Sequence, residues 1–322
     1  MQNTLHPVAG IDYPETYQEF LDWFDSEESC RLYLRKCRWP DGYICSRCGS
    51  LKEPWITSRG YLHCRECQHE VSVTAGTVFH RTRMPLRTWF SIAWFVTSQK
   101  DGASALGLQN ALGIQSYQTA WTCLHKLRAA MVRPDRDRLS GRIEVDESYF
   151  GGREEGGKRG RGSENKAIVA IAVELHSPKG FGRVRMQRIP DVTEDSLIPF
   201  VCSIAKKGSE IRTDGWASYN ALTAHGYLHH RSVISKSGDP AHISMPAVHR
   251  VAALAKRWLL STHQGAASGK HLDYYLDEYT FRFNRRSSTF RGLLFHRLIQ
   301  QAAASSPTTY KEIVGRTHNI LG

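Results

Sequence analysis

The sequence predicts a mixed α/β protein with three parts. An N-terminal helical unit and a metal ribbon come first, a helix-turn-helix-like region follows, and a mixed five-stranded sheet flanked by helices comes last. Three observations predict this class. Two CxxC pairs lie near the N-terminus, helical periodicity runs from residue 85 to 131, and strand periodicity begins after residue 140.

The composition is that of a globular, basic protein, which is compatible with a plain soluble protein and with a binder of polyanions. The 322 residues are 41% hydrophobic and carry a formal net charge of +12. Residues 281–300 contain five arginines and no acid, which favours a nucleic-acid-binding surface, although such a run is also compatible with a solvated face. Because no signal peptide and no run of transmembrane length is apparent, we expect a reducing compartment.

Four cysteines predict a zinc ribbon at residues 37–80, after an N-terminal helical segment at 1–36. Their spacing is C-x2-C-x15-C-x2-C, and the short strands of a hairpin are expected around Trp55 and Leu62. Two CxxC turns complete a closed tetrahedral site, so the zinc is structural and not catalytic; redox pairs are the alternative. The other four cysteines are expected to pack in the core. The predicted ligands are Cys45, Cys48, Cys64 and Cys67.

Residues 81–135 predict a helix-turn-helix-like DNA-binding region. A helix ends at Gly113, Ser116 is placed to cap the next helix, and Ala120 and Leu124 begin its apolar face. A plain helical hairpin fits the pattern equally well, but the ribbon and the positive charge favour DNA. The second helix, at 116–128, would present four residues to DNA: Tyr117, Gln118, Lys126 and Arg128.

After residue 140 the sequence changes from helical to strand periodicity, and this change marks the elements of the last domain. Strands are predicted at 142–150, 167–175 and 182–189, followed by a helix at 193–206 and a strand at 210–213 that ends in Asp214. Three strands, a helix and a further strand match the ribonuclease H-like fold, which places the first strand beside the fourth. Asp146 and Asp214 would then meet and bind Mg²⁺. The alternative is that Asp146 is a surface acid and Asp214 a turn residue.

Strand alternation separates the three acids of the first strand. Glu144, Asp146 and Ser148 share one face, and Glu147 lies on the other. Asp146 is therefore the expected metal ligand. We expect Glu144 to lie behind it and Glu147 to pair with a basic residue.

Ordered motifs across most of the chain resemble the bacterial transposases of insertion-sequence family 1595. They include CSRCGS, HCRECQHEVSVTAGTVFH, VDESYFGG, TDGWASY, KRWLLSTHQG and HLDYYLDEYTFRFNRR. The resemblance implies a ribonuclease H-like domain, placed at 136–300 and followed by a tail at 301–322. It implies a DNA transposase that cuts insertion-sequence ends and joins their 3′-hydroxyls to target DNA. It also implies two Mg²⁺ or Mn²⁺ ions, a multimer on paired terminal inverted repeats and a location on the bacterial nucleoid in the cytoplasm.

The resemblance also assigns catalytic residues. Asp146 and Asp214 match the first two catalytic acids of the family. The third position lies seven residues before a lysine, where this chain has His249 before Lys256. An imidazole suits Mg²⁺ less well than an oxygen ligand, so Asp277 and Glu278 stay open as alternatives. His263 is a possible phosphate or site residue, and His271 a helix-capping one.

Further basic residues are expected to contact DNA phosphates, which positions DNA without reading its sequence. They are Lys158, Arg159, Arg161, Lys256, Arg257, Arg282, Arg285 and Arg286. Two other functions stay open: a DNA-binding regulator with an inert nuclease-like domain, and a nuclease that selects branched DNA.

Overall fold

A computed structural model describes residues 6–133, 135–151, 166–176, 178, 180–232, 245–263 and 270–315. The chain divides into two compact units. One contains Met1–Arg133 with Ser287–Gly315, and the other contains Pro134–Arg286. No helix within the described ranges is long and apolar enough to span a membrane.

The first unit begins with two helices and a small sheet. The sequence suggested one helical stretch, but Ser26 starts a second helix through a capping box with Ser29. The ribbon sheet has a third strand besides the predicted hairpin, in the antiparallel order β1-β2-β3. The elements are α1 (Tyr17–Trp23), α2 (Glu27–Arg38), β1 (Trp55–Ile56), β2 (Leu62–His63) and β3 (Glu70–Val71).

Three further helices of this unit include the predicted helix pair. Gly113 ends the first helix of the pair in the left-handed conformation, with φ 63°, which favours glycine at a helix end. Ser116 occupies the N-cap position of the second helix, although its side chain makes no capping hydrogen bond. The helices are α3 (Leu86–Ser98), α4 (Ala105–Leu112) and α5 (Tyr117–Ala130).

The second unit is built on a five-stranded sheet in the order β6-β5-β4-β7-β8. β4 is central: it pairs antiparallel with β5 and parallel with β7. Its elements are β4 (Arg142–Phe150), β5 (Ala167–Leu175), β6 (Phe181–Ile189), α6 (Glu194–Ile204), β7 (Glu210–Asp214), a 3-10 helix (Ala217–Thr223), β8 (Leu228–Ser232), α7 (Pro246–His263) and α8 (Leu272–Phe283).

Helical layers cover both faces of this sheet. Val169 and Ile171 pack with residues of α7 and α8, such as Trp258, on one face. Ile143 and Val145 pack with α6 and the 3-10 helix on the other. This mixed sheet between helices is the ribonuclease H-like arrangement that the sequence predicted, so the fold class is confirmed.

The last two helices, α9 (Arg291–Ala304) and α10 (Tyr310–Gly315), belong to the first unit. Phe295 of α9 lies in an aromatic cluster, with its ring 5.4 Å from that of Phe20 and 5.6 Å from that of Phe24. Gly292 lies so close to the Pro14 carbonyl that no larger residue would fit. The domain limits at 136, 300 and 301 stay a prediction.

Candidate functional site

One face of β4 carries the polar residues of the candidate site. Ile143 and Val145 lie in the core on the α6 side, whereas Phe150 lies in the core on the α7 side. Glu144 and Asp146 alternate with the first pair and therefore face α7. Apolar contacts on both sides of the strand thus fix which acids meet this helix.

The Asp146 carboxylate lies in a partly desolvated environment, with 17% of its side chain exposed. Burial raises its pKa to about 6, and the negative charges of Asp214 and Glu144 contribute to the rise. The Glu147 backbone N–H donates to Asp146 Oδ1 at 2.8 Å, and this bond, like the charge of Lys256, favours the ionised form. The remaining cost of ionisation is of the kind that a bound cation relieves.

Asp214 ends β7, the parallel neighbour of β4. The parallel pairing of Glu144 with Arg212 puts Asp146 and Asp214 each two residues further along adjacent strands, and therefore on the same face. Asp214 Oδ1 accepts a hydrogen bond from the Trp216 backbone N–H at 3.0 Å, which holds the carboxylate at the strand end. The sheet thus brings together two acids that lie far apart in the sequence.

Helix α7 brings a histidine and a lysine to the same strand face. His249 Nε2 lies 3.7 Å from Asp146 Oδ2. Lys256 Nζ donates to Ser148 Oγ at 2.7 Å and lies 5.4 Å from the centre of the Phe150 ring. Burial lowers the pKa of the Lys256 ammonium, whereas the Asp146 carboxylate raises it.

The two acids that are alternatives for the third catalytic position, Asp277 and Glu278, lie on α8. Glu278 is fully buried and its Oε1 lies 3.7 Å from Arg282 Nη1. Burial raises the pKa of Asp277 to about 7, and the charge that opposes this rise is that of Arg136. The carboxylates that raise the pKa of Asp146 most are those of Asp214 and Glu144. The geometry therefore favours His249 as the third residue, and that assignment stays a prediction.

The other two acids of β4 make contacts that the sequence did not reveal. Glu147 accepts a short hydrogen bond from the Tyr219 hydroxyl, where a basic partner was expected. Burial raises the pKa of Glu147 to about 7. Glu144 is 1% exposed and accepts hydrogen bonds from the N–H groups at the start of α7. The sequence held one sign that a distant group caps this helix. Met245, which precedes Pro246, has no side-chain oxygen that could cap it.

The four ribbon cysteines fit a structural zinc ion. Their sulfur atoms all lie within 4.8 Å of one another, a property that no other group of three or more potential ligands shares among the described residues. The Cys45–Cys67 and Cys48–Cys64 sulfur pairs are each 3.7 Å apart. A tetrahedral site with Zn–S bonds of ~2.3 Å has edges of ~3.8 Å, which matches these distances.

The predicted DNA-contacting residues of α5 have different exposures. Tyr117 is 52% exposed, Gln118 is also exposed and Lys126 is half-buried. Arg128 is only 1% exposed, and its Nη1 lies 3.4 Å from His125 Nε2. The prediction that Arg128 faces DNA was therefore wrong, because this residue falls on the apolar face that packs into the unit.

The arginines near the end of the second unit also have protein partners. Arg285 stacks on Phe281, with its guanidinium carbon 3.9 Å from the ring centre. Arg286 donates to the carbonyls of Phe181 and Gly182. Arg282 pairs with Glu278, whereas Arg257 is exposed. Lys158, Arg159 and Arg161 lie outside the described residues.

Two family models match the chain. The transposase zinc-ribbon domain matches residues 25–70, and the ISXO2-like transposase domain matches residues 138–284. A protein described as an uncharacterized protein in transposable element ISH50, from Halobacterium salinarum, is 24% identical over 286 residues. That alignment covers 83% of this chain and 93% of the relative. Because both its zinc ribbon and its transposase domain are matched, the chain belongs to the insertion-sequence 1595 family of transposases.

Proposed function

We propose that the chain binds the terminal inverted repeats of an insertion sequence, cleaves them and joins their 3′-hydroxyls to target DNA. The observation that best supports this proposal is the position of Asp146 and Asp214 on adjacent parallel strands, with His249 beside Asp146. A phosphodiester reaction of this kind needs clustered carboxylates in a partly desolvated site.

Asp146 and Asp214 are the residues that would hold Mg²⁺ or Mn²⁺, with His249 as a third ligand. The raised pKa of Asp146 supports this fit, because a cation would offset the cost of burying the ionised carboxylate and the repulsion from Asp214 and Glu144. Divalent ions bound there would activate the attacking hydroxyl and stabilise the leaving oxygen.

Lys256 supplies a fixed positive charge on the same face. Its ammonium is held by Ser148 and would bind a DNA phosphate beside the carboxylates. Cleavage then adds water across a phosphodiester and frees a 3′-hydroxyl. In the joining step that hydroxyl attacks a target phosphate and displaces the 3′-oxygen of the target strand, so one phosphodiester forms as one breaks.

The first unit would deliver the DNA. Its zinc ribbon and the exposed residues of α5 are the proposed contacts with the ends, and we propose a multimer that pairs two ends. The arginines that stack on or bond to the protein would act as fixed charges, without reading the DNA sequence.

Strand transfer tests this function directly. The substrate is linear DNA carrying both sequences that flank the coding region, and the target is a plasmid, with Mg²⁺ and then Mn²⁺. We expect joining by the wild type, a very large loss of joining in Asp146→Asn and Asp214→Asn, and near-normal joining by the matched variant Asp277→Asn. End binding, measured by gel shift, should survive in all variants.

Two outcomes would favour other functions. Specific end binding with no cleavage in either metal would indicate a DNA-binding regulator with an inert nuclease-like domain. The histidine in the third position is the observation that supports this alternative. Cleavage of branched DNA lacking the flanking sequences would indicate a structure-selective nuclease.

A further inference from the structure

Helix α7 is attached to β4 by polar contacts on either side of the Asp146–His249 pair. Glu144 Oε2 accepts hydrogen bonds from the N–H groups of Ala247 at 2.8 Å and of Val248 at 3.0 Å. Two residues further on, Asp146 faces His249, and two beyond that, Ser148 accepts from Lys256. The contacts occur in the same order along the strand and along the helix.

The spacing of the outer contacts matches between the two elements. From Glu144 to Ser148 the strand rises ~13 Å, at ~3.3 Å per residue. From Ala247 to Lys256 the helix rises ~13.5 Å, at 1.5 Å per residue. A shift of α7 by one residue, ~1.5 Å along its axis, would therefore displace the backbone N–H groups from the Glu144 carboxylate and move His249 relative to Asp146.

The Glu144 contact also explains a buried carboxylate. An ionised carboxylate in a core is costly unless it is hydrogen-bonded. The start of α7 offers unpaired N–H groups and the positive end of the helix dipole. Pro246, the first helical residue, has no N–H, and Met245 has no capping oxygen, so the strand carboxylate takes the place of a local cap.

We propose that Glu144 and Ser148 are positioning residues that fix the register of α7 on β4, and so place His249 and Lys256 beside Asp146. This inference rests on the proposed function of that site. The two residues do not react themselves. They matter because a displacement of ~1 Å in a reacting group can cost about 100-fold in rate.

A double-mutant cycle tests the Glu144 contact in the full-length, zinc-loaded chain. We expect Glu144→Ala to lower the strand-transfer rate by about 30- to 100-fold, since α7 loses its anchor. Glu144→Gln keeps an oxygen that accepts both N–H groups and should lose less than ~5-fold. If Glu144 acts partly through His249, the Glu144→Ala/His249→Ala double variant should be less impaired than the product of the two single effects predicts.

The matched control is Glu174, a buried carboxylate of the neighbouring strand β5. It is 7% exposed, accepts from the Ser140 and Arg183 backbone N–H groups at 2.9 and 3.1 Å, and pairs with the Arg183 guanidinium, so its described hydrogen bonds go to residues outside α7. The rate loss caused by Glu174→Ala should multiply with that caused by His249→Ala, as expected for independent sites. Multiplying effects for Glu144→Ala as well would reduce Glu144 to general stabilisation and overturn the proposal.

The Ser148 contact has its own test. Ser148→Ala leaves Lys256 without its acceptor and should slow joining by about 3- to 10-fold, whereas Ser148→Thr keeps the hydroxyl and should restore most of the rate. The loss should vanish in a Lys256→Ala background. An equal loss with and without Lys256 would remove Ser148 from the proposal.

Amide hydrogen exchange separates this inference from the proposed function. In the wild type, the Ala247 and Val248 amides should be protected; Glu144→Ala should expose them, whereas Glu174→Ala should not. Unprotected amides in the wild type would refute the anchoring contact even in an active transposase. Conversely, protected amides in a chain without strand transfer would refute the proposed function, and with it the catalytic part of this inference.

Discussion

The two candidate metal sites differ in how their ligands are brought together. The ribbon ligands lie within residues 45–67, and their sulfur atoms already have the separations of a zinc tetrahedron. The carboxylate site takes Asp146 and Asp214 from two strands and His249 from a helix, and the sheet must form before they meet. The first site therefore serves folding, whereas the second depends on a fold that exists without it.

This comparison predicts opposite effects of removing a ligand. The largest effect is expected in the ribbon, because structural zinc contributes ~10–16 kcal/mol to small zinc domains. Cys48→Ser should abolish zinc binding and unfold β1–β3, with normal exchange protection in the sheet of the second unit. Metal analysis and amide exchange measure both results.

Cys202→Ser is the control for the ribbon. This half-buried thiol lies outside the cluster, so the variant should retain its zinc. Full zinc content in Cys48→Ser, or loss of the second unit's sheet together with the ribbon, would contradict the division between a folding site and a reaction site.

The carboxylate site should respond in the opposite way. Asp146→Asn should lower the strand-transfer rate by roughly 1,000-fold, equivalent to ~4 kcal/mol. In protein without added Mg²⁺ or Mn²⁺, the same substitution should leave the unfolding temperature unchanged or raised at neutral pH, because it removes a carboxylate whose ionisation is opposed by burial and by the charges of Asp214 and Glu144. A drop in the unfolding temperature would indicate that Asp146 has a structural role.

The pH dependence of stability should show, on a smaller scale, the cost of ionising Asp146, which comes first from its burial and then from the charges of Asp214 and Glu144. The pKa of Asp146 is raised from 3.8 to about 6 in the folded chain. Between these values the folded state binds more protons than the unfolded state, so stability falls as pH rises from about 4 to 6. Glu147, with its pKa raised from 4.5 to about 7, acts in the same direction.

Unfolding of the zinc-loaded chain without Mg²⁺ or Mn²⁺ would measure this effect. Asp146→Asn should remove up to roughly 2–3 kcal/mol of the decline between pH 4 and 6, and added Mg²⁺ should reduce the decline in the wild type. Identical pH profiles for the wild type and the variant would show that neither burial nor the neighbouring charges make ionised Asp146 costly in the folded chain.

Local patterns predicted much of the molecule. The bounds of β4 and β5 follow directly from the sequence, since runs of strand-forming residues stop at glycine-rich or polar segments. The four zinc ligands follow from spacing alone. The third ribbon strand was missed because Glu70 and Val71 are too few to show a period.

Contacts between residues that lie far apart in the sequence could not be predicted from local patterns. Alternation placed Glu144 and Asp146 on one face, but it could not show that the Glu144 carboxylate caps a helix more than a hundred residues away. Nor could it show that Tyr219 would be the partner of Glu147. On α5, helical spacing alone does not reveal how wide the buried face is, and Arg128 lies within it.

The smallest expected effect concerns DNA binding by α5. Lys126 is half-buried, whereas Arg128 is enclosed. Lys126→Ala should weaken binding to any DNA by a few-fold and reduce the salt slope of the affinity by about 1, because one fewer phosphate is neutralised. Arg128→Met, which keeps an apolar stem in the core, should leave the slope unchanged. A lower slope in Arg128→Met, measured by binding titrations at several salt concentrations, would mean that α5 turns to expose Arg128 when it meets DNA.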